Sequence, residues 1–574
     1  MTLALTATDA DSRVMHWHAV NWPRVNRYVR RLQVRIVKAV KQGKWRLVKT
    51  LQRLLAHSLC GRLLAVRRVT ENRGKKTAGV DGVVWDTPVK KDAAVERLRQ
   101  AHYKALPLRR IYIPKKNGKK RPLGIPTMLD RGFQALHKLS LEPVAECLAD
   151  LNSYGFRPER STQDAAAQVY NALRLQNSSM WVLEGDIKAC FDEISHEWLL
   201  ANVPMHKRSL QKWLKAGYIE KQVYHHTNNG TPQGGIISPL LANLCLDGLE
   251  ACVVTDEKER RKYKINVIRY ADDFIITGPS KEWLENTVKP RVIQFLNTRG
   301  LRLSEEKTHI TSITEGFDFL GWNFRKYPVS GKYKLLTKPS AKSITTLAEK
   351  TGEIIRQHRQ AKTANLIAML NPLIRGWVNY HKHAVAKKVF QKVDTFLFKQ
   401  LWHWAKRRHP QKSSRWVRKL YFKTVGENNW VFTGINDKGN PIYLYKASLT
   451  PVTRHVKVRA KANPYDPEWD DYFEERTTRK WFCSKWGRSK LRSIWKQQGG
   501  LCPVCQQGFN GETSIHVHHI VERCNGGGNE LDNLVMLHPN CHRQVHHLSK
   551  TRRGREFCDH IFDRRFLKKG LTKA

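Results

Sequence analysis

Tyr270-Ala271-Asp272-Asp273 lies between two β-branched runs, residues 265–268 and 274–277. The pattern predicts a strand, a tight turn and a second strand, with aspartate supplying the turn chemistry. An Asp-Asp pair on its own is ordinary solvated turn chemistry, but a second segment changes the reading. Residues 180–191 run Met-Trp-Val-Leu-Glu-Gly-Asp-Ile-Lys-Ala-Cys-Phe, with a buried-strand pattern at 181–183 and Asp186 coming off its end. Carboxylates gathered by neighbouring strands repel one another unless cations lie among them. Mg²⁺ suits such a set, because it takes a few carboxylate oxygens and completes its shell with water or phosphate. Two such ions, roughly 3.5–4 Å apart, activate a 3′-hydroxyl and stabilise a leaving pyrophosphate. Asp186, Asp272 and Asp273 are therefore expected to hold Mg²⁺ and to catalyse nucleotidyl transfer.

A second, independent chemistry lies near the C-terminus. Cys502-Pro-Val-Cys505 and His538-Pro-Asn-Cys541 form two short ligand pairs, enough for one tetrahedral Zn²⁺ that folds a small domain. A lone Cys-x-x-Cys could be redox-active or belong to a zinc deaminase. The deaminase His-x-Glu partner is missing and the second pair favours a structural ion. Between and after the pairs come His516-Val-His518-His519, then Asn529 to Asn533, then His542 and His546. The last two histidines are four apart, on one face of a helix, and can share a cation. A second zinc site is the alternative for this cluster.

These groups need elements to hold them. The chain of 574 residues has room for roughly three to five domains. Its 102 Lys and Arg against 50 Asp and Glu give a formal charge of +52, which points to a long polyanion bound with strong salt dependence. With no run of 18 apolar residues and no amphipathic anchor, nucleic acid is favoured over a membrane surface. The opening residues lack the basic and apolar regions of a signal peptide. The 11 cysteines are odd in number and scattered, which argues against a disulfide framework and for a reducing compartment.

Residues 17–68 carry apolar side chains at helical spacing (Leu32, Ile36, Val40; Leu47, Leu51, Leu54, Leu55) among many cations. Two basic amphipathic helices split near Gly43 are expected. Residues 108–127 read as a hairpin turning at Asn117-Gly118. Beyond residue 338 the pattern is helical and basic, with Asn371 as an N-cap and Pro372 opening a new helix. Residues 409–414 read as a linker. A hairpin around 437–441 follows, then an extended arm at 454–461.

The order Asp186, Gln233-Gly234, Tyr270-Ala-Asp-Asp273 resembles a reverse transcriptase palm. The loop Lys75-Lys-Thr-Ala-Gly-Val-Asp-Gly82 resembles the start of the fingers in group II intron reverse transcriptases. The run Pro372-Leu-Ile-Arg-Gly-Trp-Val-Asn-Tyr380 resembles the thumb, or X domain, of the maturases, and the C-terminal cluster an HNH endonuclease of ββα-metal fold. The resemblance to group II intron-encoded proteins thus spans nearly the whole chain. It implies a multidomain α+β protein: a basic helical extension (1–74), right-hand polymerase fingers and palm (75–337), an α-helical thumb or X domain (338–412), a DNA-binding segment (413–496) and a small zinc-containing HNH domain (497–574).

It also implies roles. Lys115 and Arg121 would contact the nucleotide triphosphate, Phe191 would exclude a ribose 2′-hydroxyl, and Gln233 would sit beside the nascent base pair. In the HNH unit His519 would be the general base, His518, His542 and His546 the Mg²⁺ ligands, and Asn533 the residue that fixes the loop. The implied partners are group II intron RNA, target DNA and deoxynucleotides, with no membrane. The implied activities are reverse transcription, splicing assistance and nicking of target DNA to prime synthesis. A cytoplasmic, nucleoid-associated bacterial location is expected; an organelle is the alternative, though no clear transit peptide is present. Two other readings fit the same residues: a splicing maturase with an unused polymerase site, or a nuclease of another defence or mobile system with an accessory polymerase.

Overall fold

The computed structural model describes residues 17–562 except 73, 100–101, 115–117, 119, 483–490, 510–514, 523–524 and 550–551. Residues 1–16, where no signal peptide is expected, and Lys115 with the Asn117 side of the hairpin turn lie outside the described residues.

Three helices open the chain, one more than the periodicity suggests: Trp22–Lys41, Trp45–His57 and Leu59–Glu71. The third begins because Ser58 caps it, its hydroxyl accepting from the Gly61 N–H at 3.0 Å. Of the four leucines expected to face inward on the second helix, Leu51 and Leu55 are buried, whereas Leu47 and Leu54 are exposed. Val48 takes the inward place one position along from Leu47. These helices pack around the long helix Met128–Leu148.

Two sheets follow. The first has four strands, with the antiparallel hairpin Leu108–Pro114 and Lys120–Ile125 extended by Tyr218–Glu220 and Val223–His225. The second has five: Asn266–Tyr270, Asp273–Gly278, Trp181–Lys188, and the short strands Arg302–Leu303 and His309–Ser312, which both pair with Trp181–Lys188. The strand that carries Asp186 continues two residues past it, so the carboxylate sits within the sheet rather than off its end. Phe317–Phe319, Trp322–Val329 and Lys332–Pro339 then form a three-stranded antiparallel sheet.

Helices Ala341–Gln357, Thr363–His381 and Lys387–Arg408 make the next layer. The expected helix break at Asn371-Pro372 does not occur; Thr363–His381 runs through Pro372. Its buried residues Leu366, Ile367, Leu370, Ile374 and Val378 keep one helical stripe across the proline, and that apolar burial outweighs the lost backbone bond. Asn371 caps nothing. Its side chain donates to the Tyr443 carbonyl at 2.9 Å and accepts from the Tyr445 N–H at 2.7 Å. The hairpin after residue 420 gains a third strand and packs its Phe422 and Phe432 into the same core as Leu370, Phe390 and Leu401.

The C-terminal unit is a two-stranded sheet, His516–His519 with Leu534–Leu537, followed by helix Pro539–Leu548. Among the described residues no single helix is long and apolar enough to cross a membrane.

Candidate active sites

In the five-stranded sheet Asp186 and Asp273 are direct register partners, and Asp272 is in the turn that leads into the strand of Asp273. Ala271 closes that turn with φ +58°, a left-handed backbone that costs an L-residue energy unless its surroundings hold it. The surroundings are the segment Asn152-Ser-Tyr-Gly-Phe, to which sequence reasoning gave no chemistry. The Tyr154 N–H donates to the Arg269 carbonyl at 2.9 Å. A side chain at Gly155 would meet the Ala271 backbone N at 2.3 Å, so only glycine lets the two chains touch there. Beneath them the fully buried Arg269 is paired with Asp247.

Close approach of the three carboxyls raises Asp273 above the usual carboxylate range, by desolvation first and then by the charges of Asp272 and Asp186. Desolvation likewise raises Asp272. One cation already answers this field: the Lys307 ammonium stands 2.7 Å from the Asp186 carboxylate. That bond raises Lys307 in turn. The donor set is all oxygen and strongly anionic, with a cation drawn to its rim, and it fits hard divalent ions.

Beside this site the predicted nucleotide-binding residues form a chain. Arg121 Nε donates to Gln233 Oε1 at 2.7 Å, and Gln233 Nε2 donates to Asp192 Oδ2 at 3.1 Å. Asp192 follows Phe191, whose nearly buried ring stands edge-on to Phe156 at 6.2 Å. A cavity of about 360 Å³ opens here, lined by Tyr112, Pro122, Phe191, Asp192, Gly230 and Gln233 among others. Lys307 and Asp192 gave no sequence signal; each is one charged residue in a short, charged helical segment.

The C-terminal unit gathers two ligand groups. Cys502, Cys505, His538 and Cys541 are all buried, and their ligand atoms lie within 4.8 Å of one another. A tetrahedral zinc with sulfur at about 2.3 Å and nitrogen at about 2.0 Å sets such atoms roughly 3.3–3.8 Å apart. Cys505 Sγ and His538 Nδ1 are 3.3 Å apart, so the cluster fits that ion. His518, His542 and His546 form the second group on the same criterion. Burial and then repulsion from neighbouring histidines push His518 and His542 down to about 4. Their rings are neutral at pH 7, the state in which imidazole ligates a metal.

His519 points elsewhere, its Nε2 lying 3.1 Å from Asn529 Oδ1. Asn533 closes the loop: it donates to the carbonyls of Val521 (3.0 Å) and Gly528 (2.9 Å) and accepts from the Val521 N–H (2.7 Å). Sequence reasoning gave Asn529 no role of its own.

Comparison with known proteins matches four family models. They are the N-terminal domain of reverse transcriptase (residues 17–98), reverse transcriptase, RNA-dependent DNA polymerase (113–324), the group II intron maturase-specific domain (344–422) and HNH endonuclease (502–548). The chain is 32% identical over 331 residues to the group II intron-encoded protein LtrA of Lactococcus lactis subsp. cremoris, covering 46% of this chain and 54% of that one. It therefore spans about half the length of that relative. It is 33% identical over 343 residues to protein YkfC of Escherichia coli strain K12, covering 51% of this chain and 90% of that one. A telomerase structure from Candida albicans superposes with a TM-score of 0.31 at 12% identity, covering 55% of this chain and 64% of that one.

Proposed function

This chain belongs to the group II intron-encoded proteins, and from that premise we propose that it copies RNA into DNA, assists splicing of its intron RNA and nicks target DNA. The reading rests most heavily on one observation: Asp186 directly opposite Asp273, with Asp272 in the turn that leads into the strand of Asp273.

Divalent Mg²⁺ held by Asp186, Asp272 and Asp273 would lower the pKa of the primer 3′-hydroxyl and neutralise the departing pyrophosphate. The chain's own residues do the positioning. Lys307 pairs with the Asp186 carboxylate. Arg121, and by resemblance Lys115, take the triphosphate as fork and point donors respectively. Gln233, held between Arg121 and Asp192, presses on the nascent base pair. Phe191 packs where a ribose 2′-hydroxyl would collide. The 3′-oxygen bonds to the α-phosphorus, and the bond from that phosphorus to pyrophosphate breaks.

In the HNH unit Mg²⁺ held by His518, His542 and His546 would polarise the scissile phosphate. His519, whose Nε2 lies 3.1 Å from Asn529 Oδ1, takes the proton from water. The water oxygen bonds to phosphorus and the bond to the 3′-oxygen breaks, leaving a 3′-hydroxyl as primer. Zn²⁺ on Cys502, Cys505, His538 and Cys541 would hold this unit folded. Residues 338–412 would grip the intron RNA as the thumb, and 413–496 the target DNA. The site of action is the bacterial cytoplasm, at the nucleoid.

Primer extension on an RNA template tests the reading. Asp272→Ala is expected to abolish deoxynucleotide incorporation and leave nicking intact, and His519→Ala the reverse. Incorporation that survives Asp272→Ala, or loss of both activities in either variant, would sink it.

A further inference from the structure

The zinc-type cluster has a neighbour from the opposite end of the chain. Arg67, on helix Leu59–Glu71, directs Nη2 at Cys541 Sγ (3.8 Å) and Cys505 Sγ (4.0 Å). This arginine is 8% exposed. Its Cζ lies 4.6 Å over the ring of Trp22, and its Nε meets Glu71 Oε1 at 3.2 Å. Glu71 reaches towards solvent, so its charge is screened and only part of the burial penalty of Arg67 is met there. The sulfur edge meets the rest.

The charges agree. One Zn²⁺, three thiolates and a neutral imidazole carry a single net negative charge, and an uncompensated charge among apolar residues is costly. One guanidinium balances it. Around this contact the two ends of the chain interlock. Trp17 Nε1 donates to Asn540 Oδ1 at 3.2 Å, Asn26 Nδ2 to the Cys505 carbonyl at 3.3 Å, and Gln544 Nε2 to the Val20 carbonyl at 3.1 Å.

We propose that Arg67 is a positioning residue for the metal knuckle, and that the bound ion locks the HNH unit onto the N-terminal helices. The metal thus has a structural task beyond its own small domain: it fixes where the nuclease sits on the polymerase. With the ion in place the thiolates are framed around the guanidinium. Removing it dissolves that frame and frees the helices.

The inference rests on reading Cys502, Cys505, His538 and Cys541 as a zinc site, and two measurements keep the readings apart. Zinc content of the purified full-length chain reports on the site: about one zinc per chain is expected, and none would overturn both readings. Zinc release to a chromogenic chelator reports on Arg67. Arg67→Met, which keeps length and apolar contact with Trp22, is expected to hold zinc yet release it on the order of tenfold faster or more. Arg67→Lys should recover part of the difference. In the unmutated chain, chelation should raise amide hydrogen exchange in Trp22–Lys41 and Leu59–Glu71, a readout that needs no variant to fold. Equal release rates with full zinc content, or unchanged exchange on chelation, would overturn the Arg67 proposal and leave the zinc site standing.

Discussion

Asp273 occupies a place that disfavours its own charge. Its carboxyl faces those of Asp186 and Asp272, and the resulting field disfavours its charge. Asp273→Asn is expected to lose metal-dependent primer extension by on the order of a thousandfold, the equivalent of several kcal/mol. Its thermal midpoint in chelator should be no lower than that of the parent, and a marked fall would mean that Asp273 has a stabilising partner after all. Asn533 has the opposite character. Three hydrogen bonds tie it to Val521 and Gly528, and Asn533→Ala leaves those backbone groups short of partners. We expect it to weaken the C-terminal unit by roughly 1–3 kcal/mol and abolish nicking, whereas His519→Ala stops nicking at unchanged stability. Denaturation followed through that unit separates the two. At this scale the residues that type and spacing reveal were readable, and the aspartates and the Cys/His pairs came straight from the chain. Lys307, Gly155 and Arg67 were not. Each matters through a contact with a distant segment, and nothing local marks a lysine in a short, charged helical segment or an arginine in a basic helix.

Elements were legible where periodicity was strong and misread where a local rule met a tertiary contact. Asn-Pro signals a helix start on local grounds, yet the apolar stripe from Leu366 to Val378 continues through Pro372. Burial of that stripe outweighs the local preference of the dipeptide. Its helix ends in a joint that responds to acid. His381 is 1% exposed, its Nε2 lies 2.9 Å from the Ser343 hydroxyl, and its ring meets Trp322 and Trp377. Burial pushes it down to about 4. The folded pKa is thus below the unfolded value, so the neutral ring is the folded form. Stability is complete above about pH 6.5 and is lost as pH falls towards 4, by roughly 3 kcal/mol at the limit. In His381→Gln the fall in urea midpoint between pH 7 and pH 5 should be shallower, whatever the starting midpoint. An unchanged slope would assign the acid sensitivity to other buried histidines such as His196.

At the scale of the molecule, the N-terminal helices, the five-stranded sheet and the C-terminal unit share one buried core. Trp17, Trp22, Val66 and Val69 belong to the same apolar cluster as Leu183 and Phe274 of the sheet and Val504, Val535 and Val545 of the HNH unit. No reading of the chain in linear order brings residue 26 beside residue 505, which is why this union was invisible before the fold. A formal net charge of +52 repels itself and does nothing to join these parts; burial does. Ending the chain at residue 496 therefore does more than remove a nuclease. It uncovers Trp17 and Trp22, now 1% and 0% exposed, at roughly 1.5–3 kcal/mol for each large apolar side chain. The truncated chain should melt lower, bind more of an apolar dye and be cut faster by trypsin within helices Trp22–Lys41 and Leu59–Glu71. Its primer extension should fail at a lower temperature although the sheet is untouched, while full-length His519→Ala keeps the parent's values in all four measurements. If truncation and His519→Ala behaved alike, the two ends would not be joined in solution. The distance from the nicked strand to the extending site would then be set by the nucleic acid instead of by the protein core.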